Sequence, residues 1–544
     1  MRALLIVSLL LSVLLLAGCG SNSDNSAPPA NNVPTAIAGA DQVVTTGSLV
    51  TLDGSTSNDV GNAQLTYDWS FSSVPTGSAL TALTAPTTST PSFTPDVAGD
   101  FVIQLIVNNG TTDSVPDSLT VTTNATWHTP QSLDSLSGSF GADLAMNASG
   151  DAISVWRYSD GAGSGAIYAS HYNLTSDTWS NRETVYDMGL DPDLPQVAMN
   201  AAGDAVAVWV EIGSSGSFVW TNIYTAGSGW GTAQQISSPT MSGGYYCFHP
   251  QVSINASGQI VAVWQQTDTS VYNLWANTYT PGSGWGTALK VESDEGDAVW
   301  GQVGVDDAGQ ATVVWNQYAA ASLSNRIRST TYDFTGDSWG AVTTIDPTDP
   351  STNSIIPQLV MDPAGDIMVA WLVRDEAPGD NPHISIWTIR YDEAAGSWGP
   401  GAKISGADSS NSLQLATDAA GNVLAVWDQF DTVQGEDNVA ANRYDSATGL
   451  WEGVTLVETD AGNTQAPYVA MDGDGNAAAV WLQYNGTNLD LRASVKNSTD
   501  STWQPPQNLA NGVSEYASPQ VAVASASRAV ATWYTGGINT STRK

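Results

Sequence analysis

The chain has 544 residues, room for two or more domains. Only 12% are Asp, Glu, Lys or Arg, and 53 acids stand against 15 bases, a net charge of −38. That excess excludes nucleic-acid binding, which needs Lys and Arg to replace phosphate counterions, and docking on anionic lipid through a basic patch.

Met1-Arg2 precedes an apolar run from Ala3 to Ala17. A short basic start, a hydrophobic centre and a small-residue end make a secretory signal, too short for a permanent membrane span. The run ends Leu16-Ala17-Gly18-Cys19, which resembles the lipobox of bacterial lipoproteins. The resemblance implies a signal over 1–18, cleavage before Cys19 and acylation of that cysteine, with several acyl chains giving stable anchoring. Gly20-Ser21 follow, with no Asp after the cysteine. By the family's rule this implies the outer membrane if the cell is Gram-negative. Residues 19–32, rich in Ser, Asn, Asp, Ala and Pro, read as a flexible tether. Cys247 is then the one other cysteine, so no intramolecular disulfide is expected.

Residues 33–123 alternate β-rich runs with turn residues, as an antiparallel sandwich does. Leu52-Asp53-Gly54-Ser55, Tyr67-Asp68-Trp69, Ser92-Phe93-Thr94-Pro95 and Ala98-Gly99-Asp100-Phe101 resemble the PKD-type, immunoglobulin-like domain of bacterial surface proteins. The resemblance implies a spacer or adhesion module. Trp69 is expected between the sheets. Asp53, Asp59 and Asp100 are expected to cap turns, with calcium ligation the alternative.

From 124 to 544 one unit repeats. A strand pair ending in Trp recurs at Trp156, Trp209, Trp264, Trp315, Trp371, Trp427, Trp481 and Trp533, every 51 to 56 residues. Between its strands seven copies place Asn or Asp three residues before Gly, as at Asn200/Gly203 and Asp472/Gly475, which is hairpin-turn chemistry. A second hairpin closes on Trp179, Trp230, Trp285, Trp339, Trp398, Trp451 and Trp503. The eighth closing tryptophan is Trp127, ahead of the first copy. Short strands in repeated units of this length read as propeller blades. The last copy runs out of chain, and residues 126–133 parallel the segment from Thr502. The expectation is therefore an all-β chain: a PKD-like sandwich followed by an eight-bladed propeller closed by strands from both ends, with seven blades the alternative. The repeated Trp positions, and Gln266, Gln317, Gln429 and Gln483 two residues later, read as structural.

Enzyme chemistry finds little support. The four histidines lack metal spacing, and no nucleophile elbow or phosphate loop is evident. The second hairpins faintly resemble the Asp-box turns of sialidase-type propellers, but Asp333 and Gly336 stand one residue too far apart, and Arg326, Arg328, Arg374 and Arg390 form no recognisable triad. No catalytic residue is assigned, no cofactor beyond calcium is implied, and the metal content is left open. The loops that depart from the repeat hold Tyr245, Tyr246 and His249; Asp294, Glu295, Asp297 and Trp300; and Arg374, Glu376, Asp380 and His383. Aromatic rings beside carboxylates suit a glycan or protein ligand, and the first two groups are the expected binding residues. The expected function is a lipid-anchored cell-envelope binding or adhesion protein. The alternatives are a polysaccharide-active glycosidase or lyase, and a scaffold in an envelope complex.

Overall fold

The structure, a computed structural model, describes residues 33–544 except 76–77, 214–215, 239–245, 269–270, 293–295, 320–322, 348–352, 376–382, 407 and 526. The chain divides into two compact units between Thr123 and Asn124. The described residues hold strands and turns and no α-helix, as the absence of a 3.6-residue apolar period requires.

The first unit pairs strands Gln42–Thr45, Asp117–Asn124, Gly99–Asn108 and Thr66–Ser73 in that spatial order. A second, two-stranded sheet joins Val50–Thr51 to Ser92–Phe93. Alternation in Gly99–Asn108 buries Phe101, Ile103, Leu105 and Val107 on one face. Trp69 lies in this core, its Nε1 donating to the carbonyl of Thr88 at 3.1 Å. Gly54 is required beside it, because a Cβ there would stand 2.8 Å from the Trp69 ring. Asp53 accepts the Ser55 amide and Asp59 the Ala63 amide. Asp100 accepts the Thr122 hydroxyl. Hydrogen bonds from Ser55 and Asn109, respectively, hold the Asp53 and Asp59 carboxyls below their ordinary range.

The second unit is a β-propeller. Eight sheets, here blades 1 to 8 in chain order, begin with the strands Ser139–Met146, Asp191–Met199, Cys247–Ile254, Ala298–Val305, Asn353–Met361, Ser410–Thr417, Thr464–Met471 and Gln520–Ser525. Each of these first strands lies against those of the neighbouring blades, and that of blade 8 lies against that of blade 1, so the sheets close a ring. In blades 1 to 6 the outer edge is two short strands, one pairing with the C-terminal end of the third strand and the other further up it, so the outer edge is made of short pieces. Blade 8 takes its outer strand from Gln131–Asp134, paired with Ile538–Arg543, and Trp127 bridges Arg543. Asp134 ties this strand to blade 1 by accepting from Trp156 Nε1, Ser139 Oγ and Arg182 Nη1.

The eight second-strand tryptophans are the largest fully buried side chains among the described residues. Trp264, for example, packs on Val206 and Val208 of the preceding blade. Where Gln follows two residues later, its Oε1 accepts the indole N–H, at 3.0 Å in Trp264–Gln266 and 2.9 Å in Trp315–Gln317. Where it does not, Trp156 donates to Asp134 instead, and the buried indole N–H of Trp209, Trp371 and Trp533 has no partner among the described residues. The closing tryptophans pack against a cross-strand tyrosine, as in Tyr332–Trp339 with centroids 5.1 Å apart.

The Asx turns form as the spacing requires. Asn200 Oδ1 accepts the amides of Ala202 and Asp204, and Gly203 takes φ +86°. Adjacent turns abut. A Cβ on Gly421 would stand 2.5 Å from Asp362 Oδ2 of the blade before.

Candidate functional site

Every first strand interrupts its ladder at one place. In blades 1 to 7 two residues bulge opposite the buried tryptophan of the second strand. In blade 3, Phe248 pairs with Gln265 and Gln251 with Val263, leaving His249 and Pro250 across from Trp264. The first bulge residue takes positive φ: Leu194 +52°, His249 +46°, Trp300 +58°, Ile356 +53°, Ser412 +53°, Ala466 +52° and Gly141 +64°. Ser518, at the same place in blade 8, has φ +43°. The second is Pro195, Pro250, Pro357 or Pro467 in four of these bulges, where a missing N–H breaks no ladder bond.

Left-handed backbone is costly for Leu, His, Trp and Ile. A bulge also re-aims its side chain out of the pleat. The propeller thus carries seven bulged residues, with Ser518 of blade 8 at the matching place just ahead of its first strand, in a ring at one mouth of its axis. They divide in two. Blades 2 to 5 carry Leu194, His249, Trp300 and Ile356; blades 6, 7, 8 and 1 carry Ser412, Ala466, Ser518 and Gly141. Half the mouth is a wall of large side chains and half is low.

His249 and Trp300, on adjacent blades, pack with ring centroids 4.5 Å apart and planes 40° off parallel. Trp300 stays 39% exposed. Burial pushes the His249 imidazole below its ordinary range against the opposing pull of Asp193, so it is neutral at neutral pH. Tyr246, 49% exposed, belongs to a separate stack with Phe248, which meets Tyr272 edge-on. Asp297 Oδ1 accepts the Tyr272 amide, which anchors a loop. Tyr245, Asp294, Glu295, Glu376 and Asp380 lie outside the described residues, as does Cys19. The structure thus brings His249 and Trp300 together; it places Tyr246 and Asp297 near the same blades in other contacts. Cys247 is buried, and burial pushes its thiol up to about 12, so it is an inert packing residue.

One residue beyond the bulges, the first strands carry polar side chains that sequence reasoning did not single out. Six blades present Gln196, Gln251, Gln302, Gln358, Gln414 and Gln520; blade 1 presents Asp143 and blade 7 Tyr468. Gln251 Nε2 donates to Gln196 Oε1 at 3.3 Å. Asp143 Oδ2 accepts the Val197 amide at 2.8 Å, and burial pushes its carboxyl up to about 6. A second buried acid, Asp428, follows the buried tryptophan of blade 6 and pairs with Asn411, just ahead of the Ser412 bulge. It accepts from Thr464 at 3.1 Å and is pushed up to about 7, chiefly by burial. For Gln196, Gln251, Gln358, Tyr468 and Gln520 the signal was the residue directly after a repeat proline; Gln302, Gln414, Asp143 and Asp428 carried no such mark.

Two cavities open at the other end of the first strands, among the Asx turns. One of about 380 Å3 is lined by Met199, Ser253, Val305, Asp306, Met361 and Asp362, among others. The other, of about 390 Å3, includes Met146, Asn147, Met471 and Asp472. Their acids are engaged in turns: Asp362 Oδ1 accepts the Ala364 and Asp366 amides, and Asp472 Oδ1 those of Asp474 and Asn476. Among the described residues no three His, Cys, Asp or Glu side chains gather as a metal site.

A PKD domain family model matches residues 38–123. No curated protein matches the chain. Solved structures resemble it distantly. The Dos1 propeller has 11% identity and a TM-score of 0.43, over 77% of this chain and 95% of that one. A polysaccharide lyase of family PL25, an ulvan lyase, has 10% identity and a TM-score of 0.42, over 74% and 94%. The α-L-arabinanase of Penicillium chrysogenum, complexed with arabinobiose, has 11% identity and a TM-score of 0.35, over 77% and 98%.

Proposed function

We propose that the chain is a bacterial cell-envelope lipoprotein, anchored through Cys19, whose propeller binds a glycan at the bulge-lined mouth. The observation that carries this reading is the His249–Trp300 pair. His249 packs against Trp300 on strained backbone and fixes its orientation, and the exposed part of the indole offers an apolar face of the kind a sugar ring stacks on. The carboxamides one residue further in supply hydroxyl partners. The tether over 19–32 and the PKD-like unit carry the propeller away from the lipid.

A glycan array probed with the full chain tests this, with Trp300→Ala beside it. Glycans retained by the native chain and lost by the variant support the reading. An array that stays blank while a protein co-purifies from membranes turns it toward a protein ligand.

A second reading, polysaccharide cleavage, draws on Asp143 and Asp428, whose carboxyls are pushed up to about 6 and about 7. A carboxyl raised this far can deliver a proton near neutral pH. Release of reducing ends from a retained glycan, abolished in Asp428→Asn, would favour it.

A further inference from the structure

The glutamines beneath the mouth carry an argument of their own. If they existed to clasp the ring, each would bond its neighbour, because a carboxamide both donates and accepts. Among the described residues only Gln251 and Gln196 do so, at 3.3 Å. The side chains of Gln302, Gln358 and Gln414 hydrogen-bond to no other described residue. The Gln520 carbonyl oxygen is buried without a partner among the described residues, a state that costs free energy unless something else fills it.

Packing does not explain them either. The residues that follow three of them, Val197, Leu415 and Val521, are buried in the clusters between blades, whereas the glutamines are half-buried. Gln196 is engaged at both ends of its amide, donating to the Pro195 carbonyl and accepting from Gln251, whereas the carboxamides of Gln302, Gln358 and Gln414 and the Gln520 oxygen hold unspent hydrogen-bonding capacity on the innermost strands. The girdle's one fixed acid, Asp143, stands on the low side of the mouth, where Gly141 and Ser518 leave room above it.

We infer that this girdle is a second subsite, one that takes the uncharged, hydroxyl-bearing end of a glycan entering the propeller axis. The inference rests on the glycan reading of the mouth and adds which part of the chain is read. A glycan lying across the mouth meets the bulge side chains and stops there. Only a chain end passing the low half reaches one residue further in. Carboxamides suit neutral hydroxyls, since they pair with donor and acceptor alike and lose little on shedding water compared with charges.

The test uses the full chain and neutral hexasaccharides of several linkages, each native and with its non-reducing or its reducing terminus chemically blocked. The triple variant Gln302→Met, Gln358→Met, Gln414→Met keeps side-chain volume and removes the amides. The expected result is binding that falls roughly tenfold or more in the triple variant and on blocking one terminus, with melting unchanged. Binding that needs Trp300 but ignores both the triple variant and the blocked ends overturns the girdle and leaves the mouth reading standing. Binding by no hexasaccharide overturns both. If the triple variant fails to fold, the blocked ends on the native chain still decide.

Discussion

His249 and Trp300 face each other at 4.5 Å from equivalent bulges of neighbouring blades, both on left-handed backbone. The bulge belongs to the fold, since blades 1 to 7 all have it opposite a buried tryptophan; the side chain it presents is free to vary. Removing the Trp300 ring should therefore leave the blade intact. Trp300→Ala is expected to abolish retention on glycan while shifting the melting temperature little. Trp264→Ala should do the reverse, losing on the order of 3–5 kcal/mol of stability as a fully buried Trp does. Paired calorimetry and binding titration check this. A Trp300 variant that melts as badly as the Trp264 variant would make the pair a packing feature.

The same backbone makes an unusual stability prediction. Ala466 is exposed with φ +52°. An L-residue there carries roughly 1–2 kcal/mol of strain that glycine does not. Glycine gives back about 0.5–1 kcal/mol through its looser unfolded state. Ala466→Gly is therefore expected to stabilise the propeller slightly, by under about 1 kcal/mol, where an Ala→Gly change in a strand normally destabilises. Urea unfolding of the two proteins measures the sign, and a clear loss would contradict the strain argument.

Ring closure gives the third prediction. Asp134 joins the N-terminal strand to blade 1 through three donors, while Gln131 to Asp134 complete blade 8. Deleting 126–134 strips the outer edge of blade 8 and leaves Trp156 Nε1 without its acceptor. The expected result is a melting transition many degrees lower, or aggregation through the bared edge. Unchanged melting would mean the closure contributes nothing.

The anchor is tested most simply. Cys19→Ser is expected to move the protein from the membrane fraction to the soluble fraction, because the acyl chains are the attachment. Retention on membranes would refute lipidation at Cys19.

Much of this architecture was legible because it repeats. The Trp positions, the Asx-to-Gly spacing and the match of 126–133 to the segment from Thr502 reported blades, turns and closure directly. The closing strand itself falls at Gln131–Asp134, and the rest of that stretch contributes through Trp127. The bulges stayed hidden because proline looks like the start of a strand. Where proline occupies the bulge, in blades 2, 3, 5 and 7, the first strand in fact begins a few residues earlier, at Asp191 rather than Pro195 in blade 2, and runs through the proline. His249 and Trp300 then read as departures from the repeat, although they occupy a repeated position with unusual side chains. The glutamine girdle was missed for the opposite reason: repetition was taken as a mark of structure alone, and hydrogen-bond accounting is invisible in a sequence.

The two raised carboxyls give the last prediction, and its sign is fixed by linkage. Burial lifts Asp428 from an ordinary value of 3.8 to about 7, despite hydrogen bonds from Ser412 and Thr464, with the charge of Asp437 adding to the rise. The folded protein therefore holds this proton to higher pH than the unfolded chain does. Asp428 contributes most to stability when protonated, and that contribution is lost as pH rises from about 4 to about 7. Above that window the native state carries a buried charge and the loss is complete. Asp428→Asn cannot ionise, so its melting temperature relative to the native chain should climb across the same window and level off above it. Asp143→Asn should behave likewise with a window ending near 6. Taking each variant's difference from the native chain removes the titrating acids too distant to couple, while the charge of Asp437 stays within the Asp428 difference. A difference that stays flat from pH 4 to pH 8, measured by calorimetry, would mean that these carboxyls are solvated and titrate as ordinary surface acids.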